Sequence, residues 1–167
     1  KNPWHSHGFD ETRRVLKEFA NDAKRTMIVI DPRRTETAEL ADVWLPVKPG
    51  TDAFLLAAIG RVIVEEKLFN NEWLVKNANG LDETIAAFSH VPISDFSQRS
   101  GIDEATIHKV AHLISSAKSV AFYEDLGIEM APHSTLVSYL QRVIWVLVGS
   151  YGKPGGMSAH TSMAPLF

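Results

Sequence analysis

Residues 28–52 constrain this chain more than any other stretch: Ile-Val-Ile-Asp-Pro-Arg-Arg-Thr-Glu-Thr-Ala-Glu-Leu-Ala-Asp-Val-Trp-Leu-Pro-Val-Lys-Pro-Gly-Thr-Asp. Met27–Ile30 is rich in β-branched residues and suits a buried parallel strand, which Pro32 ends because proline cannot donate to a ladder. Thr35 caps a short helix through Leu40, Val43–Val47 is a second strand, and Gly50-Thr51-Asp52 opens the next helix. This order brings two carboxylates (Asp31, Asp52), two guanidiniums (Arg33, Arg34) and a helix N-terminus to the carboxyl ends of neighbouring strands. In open α/β sheets that crevice receives nucleotide-like ligands, so the expected ligand is a nucleotide or a nucleotide-tailed cofactor.

The rest of the chain continues the alternation. Asp10 is the expected N-cap of a helix to Ala23, with Val15, Leu16, Phe19 and Ala20 on one face. The helix opened by Asp52 runs to about Glu66, burying Leu55, Ala58, Ile59, Val62 and Ile63. Residues 71–89 read as two shorter helices around the turn dipeptide Asn79-Gly80, and Ser94–Gly101 as a polar connector. Asp103 caps a helix to Ala117. Ser119–Tyr123 is expected as a third strand, followed by a loop at 124–128, an apolar helix over Ser134–Val148 and a glycine-rich exit over Gly149–Gly156. The fold class is therefore α/β: a Rossmann-like three-layer domain with a mostly parallel sheet flanked by helices, its first strand truncated. A single domain over 1–167 is expected, with a helical insertion at about 68–100.

Composition narrows the functions. A formal net charge of −3 gives no electrostatic case for nucleic acid. The chain has no cysteine, which excludes disulfides, iron–sulfur ligation and thiolate metal sites within it. Apolar runs such as Val143–Val148 fall far short of a bilayer span. The sequence starts at Lys1 without an initiator methionine and stops at Phe167 just after a glycine-rich loop, so it reads as a piece of a longer protein.

Each candidate residue carries a plain structural reading beside the chemical one. Asp31 either accepts from ribose hydroxyls or caps the turn before Pro32. Arg33 and Arg34 either fork onto phosphate oxygens or form a solvated pair, with Arg33 the stronger candidate for ligand contact. Asp52 either complements the helix dipole or accepts bidentately from the N1–H and amino group of guanine, a pattern adenine lacks. Gly50 lets backbone approach a ligand closely. Asn2, His5, Ser6 and His7 lie where a first strand would hand over to a helix, in reach of a phosphate or pterin. His5 and His7 lack an acid or thiol partner, so no metal site is expected. His108 and His112, spaced i, i+4, fall off the Ile107/Val110/Ile114 face and read as a solvated face. Lys153-Pro154-Gly155-Gly156 either cradles an anion with exposed amides or is a bare loop. No catalytic residue is expected in this chain.

Taken together, Asn2-Pro3-x-x-Ser6-His7, Ile30-Asp31-Pro32-Arg33-Arg34-Thr35-x-Thr37-Ala38-x-x-Ala41-Asp42 and Pro49-Gly50-Thr51-Asp52 resemble the molybdopterin oxidoreductase family of the dimethyl sulfoxide reductase type, which includes formate dehydrogenases and nitrate reductases. Gly101-Ile102 before the Ile107/Ala111 helix, and Gly149-x-x-Gly152-Lys153-Pro154-Gly155-Gly156, agree with it. The resemblance covers essentially the whole chain. It implies one of two related α/β domains, each seating one molybdopterin guanine dinucleotide, with two dinucleotides holding molybdenum or tungsten in the parent enzyme.

On that basis the cofactor contacts are Asn2, His5, Ser6, Asp31, Arg33, Gly50 and Asp52, with Leu126 and Gly127 from a family glycine-rich segment near the pterin. There this sequence has Glu124-Asp125, where small or aromatic residues are common. The resemblance further implies an iron–sulfur cluster and the metal-ligating residue elsewhere in the parent, and two-electron redox of a small substrate. The implied partners are the remaining domains of the parent polypeptide and an iron–sulfur electron-transfer subunit. The alternative is a cofactor-free structural or electron-transfer subunit of the same fold, as in the large iron–sulfur subunit of complex I.

Overall fold

The computed structural model describes residues 11–157. Within them, β1 (Ile28–Ile30) and β2 (Val43–Leu45) pair in parallel, with Ile28 opposite Val43, Val29 opposite Trp44 and Ile30 opposite Leu45. The crossover is short. It contains α2 (Glu36–Glu39), whose first turn is capped by Thr35 accepting from the Ala38 N–H at 3.3 Å. Asp42 closes the loop's far end, accepting from the Met27 N–H at 2.7 Å while its own N–H donates to the Met27 carbonyl. α1 (Thr12–Ala20) precedes the strands; Asp10, expected to cap it, lies outside the described residues.

The core is built around α3 (Asp52–Glu65). Leu55, Leu56, Ala58, Ile59, Val62, Ile63 and Val64 are all buried, so the helix is apolar on nearly every side and needs cover from every side. That cover comes from α5 (Leu81–Ser89), α6 (Ile93–Ser100), α7 (Glu104–Ser116) and α9 (Ser134–Leu147). Gly60 gives α5 its seat: a Cβ there would fall inside the Phe88 ring. α4 (Asn71–Asn77) is capped by Asn70, which accepts from the Trp73 N–H at 3.0 Å, and it lies against α9. The Asn79-Gly80 turn separates α4 from α5, with Gly80 at φ 78°. No helix among the described residues is long and apolar enough to cross a membrane.

Three expectations about local structure change. Ser94–Gly101 is not a connector but lies mostly within α6, which ends at Gly101 with φ 80°. Its polar composition conceals Ile93 and Phe96 on one side, and Phe96 meets Phe54 of α3 edge-to-face at 4.9 Å. Arg99, paired with Asp95 at 2.7 Å, lays its guanidinium over the same Phe54 ring, 5.2 Å from its centroid.

Ser119–Tyr123 forms no strand, and the sheet of the described residues has two strands. Its Val120 N–H finds the Ser150 hydroxyl at 3.1 Å, and Phe122 stands edge-on to Trp145 of α9 at 5.4 Å. A side-chain oxygen has taken the donor that a neighbouring strand would otherwise claim. The loop expected at 124–128 contains most of a short helix, α8 (Leu126–Glu129). The fold remains α/β, with a parallel strand pair at the edge of a helical body.

Candidate functional site

The carboxyl ends of β1 and β2 lie side by side, so the residues after each strand share one edge of the molecule. After β1, the Asp31 N–H donates to the Leu45 carbonyl at 3.2 Å, carrying the ladder one residue further. Asp31 Oδ1 accepts from the Arg33 N–H at 2.8 Å, the turn-capping role its position before Pro32 suggested. The Arg34 guanidinium lies over the Trp44 ring, 5.7 Å from its centroid. Arg33 is exposed, and its guanidinium has no side-chain partner among the described residues.

After β2, Lys48-Pro49-Gly50-Thr51 closes as a β-turn, with the Thr51 N–H donating to the Lys48 carbonyl at 3.1 Å. Proline second and glycine third at φ 77° is the arrangement a type II turn demands. A Cβ on Gly50 would lie 3.4 Å from the Pro132 ring, so conformation rather than space selects glycine there. The missed helix α6 anchors this turn. The Lys48 N–H donates to the Ser100 carbonyl at 2.8 Å, and Lys48 Nζ donates to the Gln98 carbonyl at 2.9 Å.

Asp52 is the first residue of α3 and is half-buried. Burial pushes its carboxyl above the ordinary range; its own backbone N–H pulls the other way, and the charge of Asp31 pushes it higher still. The structure thus brings Asp31 and Asp52 into electrostatic contact across the two strand ends, with the Gly50 turn and the exposed Arg33 on the same edge.

Leu126 and Gly127 stand less close. Leu126 is 63% exposed on α8, and nothing lies within 4 Å of where a Gly127 Cβ would be. Pro132, after α8, links this segment to the Gly50 turn. The acidic pair before it is engaged locally. Asp125 caps α8 through the Leu126 N–H at 2.9 Å, while Glu124 accepts from the Ser138 hydroxyl at 2.8 Å and faces Arg142 at 3.5 Å. Asn2, His5 and Ser6 lie outside the described residues.

Other candidates resolve differently from their sequence readings. The glycine-rich exit spends its amides on itself: Gly152 N–H donates to the Met157 carbonyl, Gly156 N–H to Lys153 and Met157 N–H to Ser150. It clamps the 119–120 segment rather than presenting a row of donors. His108 and His112 are not simply solvated, since both ring nitrogens meet the Glu66 carboxylate at 2.6 Å. No three-residue grouping that could hold a metal ion occurs among the described residues. Sequence reasoning passed over Trp44, which joins both halves of the site; an indole one residue from the end of a strand that borders a crevice was the available signal.

No family model matches the chain. Relatives do. It is 28% identical to the acetylene hydratase of Syntrophotalea acetylenica over 95% of its length. It is 30% identical to the assimilatory nitrate reductase catalytic subunit of Bacillus subtilis over 82%, and 29% identical to formate dehydrogenase H of Escherichia coli over 92%. A solved acetylene hydratase from Pelobacter acetylenicus superposes on 86% of the chain with a TM-score of 0.76 at 28% identity. The chain belongs to the molybdopterin oxidoreductase family, of the dimethyl sulfoxide reductase type. It spans 21%, 19% and 21% of the three relatives' lengths and 19% of the solved chain.

Proposed function

We propose that this chain is a guanine-dinucleotide-binding domain of a molybdenum or tungsten oxidoreductase that carries two molybdopterin guanine dinucleotides and catalyses two-electron redox of a small substrate. One observation carries the reading. Asp52, half-buried at the start of α3, places its carboxylate on the strand-end edge that Asp31, Arg33 and the Gly50 turn share. The paired N–H donors of a guanine edge satisfy such a carboxylate; adenine offers no matching pair. Arg33 supplies an exposed guanidinium for a diphosphate, Asp31 an acceptor for ribose, and the Gly50 turn a backbone that a flat base can approach.

These residues fit the group, and the domain's task is to bind and orient it. When bound, the metal and pterin supply the redox chemistry. Nitrate reductase and formate dehydrogenase among the relatives support redox, whereas acetylene hydratase carries a name for water addition. The remaining domains of a longer polypeptide, an iron–sulfur electron-transfer subunit and a small-molecule substrate are its proposed partners.

Calorimetric titration with GDP and ADP tests the guanine assignment. GDP is expected to bind tighter, and Asp52→Ala to erase the preference; equal affinities in the unsubstituted protein would sink it. Molybdenum, tungsten and pterin analysis of the longer polypeptide decides against the cofactor-free alternative. One metal per chain with pterin supports the present reading, and their absence from cells that make the cofactor favours the other.

A further inference from the structure

We infer that Trp44 is the positioning residue of this crevice, shaping the Asp31–Arg34 turn before any ligand arrives. The inference deepens the nucleotide reading of residues 31–52 and rests on it for its ligand. Position 44 needs only a residue that tolerates the ladder opposite Val29, and a β-branched aliphatic would serve. The indole does more.

Once the Asp31 N–H has bonded to the Leu45 carbonyl, a parallel ladder would offer the Asp31 carbonyl to the residue two further along β2's path. That residue is Val47, and its N–H is already given to Leu45 at 2.8 Å; Pro46, between them, has no N–H to give. The Asp31 carbonyl would lose its ladder donor, and the Trp44 Nε1–H supplies one at 2.8 Å. The same ring carries the Arg34 guanidinium on its face. Asp31 is consequently held at three atoms: its N–H by Leu45, its carbonyl by Trp44 and one carboxylate oxygen by the Arg33 N–H. With Arg34 kept on the ring, Trp44 also decides which of two adjacent guanidiniums is offered to an anionic ligand. A turn fixed in advance spends less conformational freedom when it binds.

Trp44→Phe tests this, because it keeps an aromatic ring beneath Arg34 and removes the donor. In the unliganded protein, amide exchange at Arg33 is expected to quicken about three- to tenfold, the scale of one neutral hydrogen bond. GDP affinity measured by calorimetry should weaken by a similar factor, with a small fall in the thermal midpoint for the lost hydrogen bond. GDP should perturb tryptophan emission more in the unsubstituted protein than in the variant. Arg33 exchange and GDP affinity both matching the unsubstituted protein would overturn the assignment. So would a lowered midpoint with Arg33 exchange unchanged, which marks a merely structural role. If the unsubstituted protein binds no GDP, the nucleotide reading fails alone, and Arg33 exchange still decides whether Trp44 shapes the turn.

Discussion

The carboxylate of Glu66, at the carboxyl end of α3, lies 2.6 Å from Nδ1 of His108 on α7. Its second oxygen meets Nε2 of His112 one turn on, also at 2.6 Å. One acid thus fastens two helices through imidazoles spaced i, i+4. The hydrogen bond from His108 is the main cause that holds the Glu66 carboxyl below its ordinary range, opposed by partial burial and aided by His112.

A depressed carboxyl stabilises the folded chain above its unfolded pKa and loses that contribution as pH falls through the folded one. Glu66→Gln should therefore lower the thermal midpoint near neutral pH. The gap between variant and unsubstituted protein should close on acidification below about pH 4. Melting curves from pH 7 to pH 3 check this; a gap that persists or widens in acid would refute the linkage.

Gly60 and Phe88 make a second test, this time of packing. A Cβ at Gly60 would collide with the Phe88 ring, which is itself buried and has no open side to retreat to. Overpacking of this kind costs about 1–3 kcal/mol, against about 1 kcal/mol gained by replacing a helical glycine with alanine. Gly60→Ala is expected to be net destabilising in urea unfolding. Adding Phe88→Leu to Gly60→Ala should recover part of the loss, although Phe88→Leu alone destabilises. Simple additivity of the two would argue that they do not share the space.

Much of this was legible in the sequence wherever the cause is local. The Thr35 and Asp103 caps each bond to an N–H three residues on, at 3.3 Å and 2.9 Å, and the type II turn at Pro49-Gly50 is complete within four residues. The resemblance motif lies across those same turns. Failures came where a partner is remote. Val120 pairs with Ser150, His108 with Glu66 across 42 residues, and neither choice is written near either residue. α6 was hidden differently, because two apolar side chains among serines, Asp95, Gln98 and Arg99 make a helix face too thin for periodicity to reveal. Asp31 and Asp52 were recognised as candidates, yet the indole that ties their strands together was not.

The surface around α8 and α9 carries a prediction about partners. Met130 is 82% exposed and Tyr139 61% exposed, with Leu126, Leu136 and Tyr123 also open to solvent. Large apolar side chains exposed on and around two neighbouring helices are the kind of surface that other proteins cover. If further domains of a longer polypeptide seat there, this chain alone should self-associate at high concentration. A Met130→Glu/Tyr139→Glu double variant should suppress that association with unchanged circular dichroism. Light scattering distinguishes the outcomes, and a monomeric unsubstituted chain would count against the docking role.

Asp52 is expected to behave opposite to Glu66, and the contrast tests whether the site is built at a cost to stability. Its carboxyl is pushed up, first by burial and then by Asp31. An acid with a raised folded pKa destabilises the folded chain at neutral pH, and that penalty is relieved as pH falls through the folded value. Asp52→Asn should therefore raise the thermal midpoint at pH 7, by an amount that shrinks on acidification. The same substitution removes the negative acceptor pair, so GDP affinity should fall about tenfold or more, the scale of a charge-assisted bidentate contact. In the unsubstituted protein GDP affinity should decline with acidification at a higher pH than an ordinary aspartate would give, and in Asp52→Asn that decline should be absent. A variant that gains stability while losing ligand has exchanged function for folding, as a carboxylate kept half-buried for binding requires. A variant that loses both would mean that Asp52 serves the helix start alone.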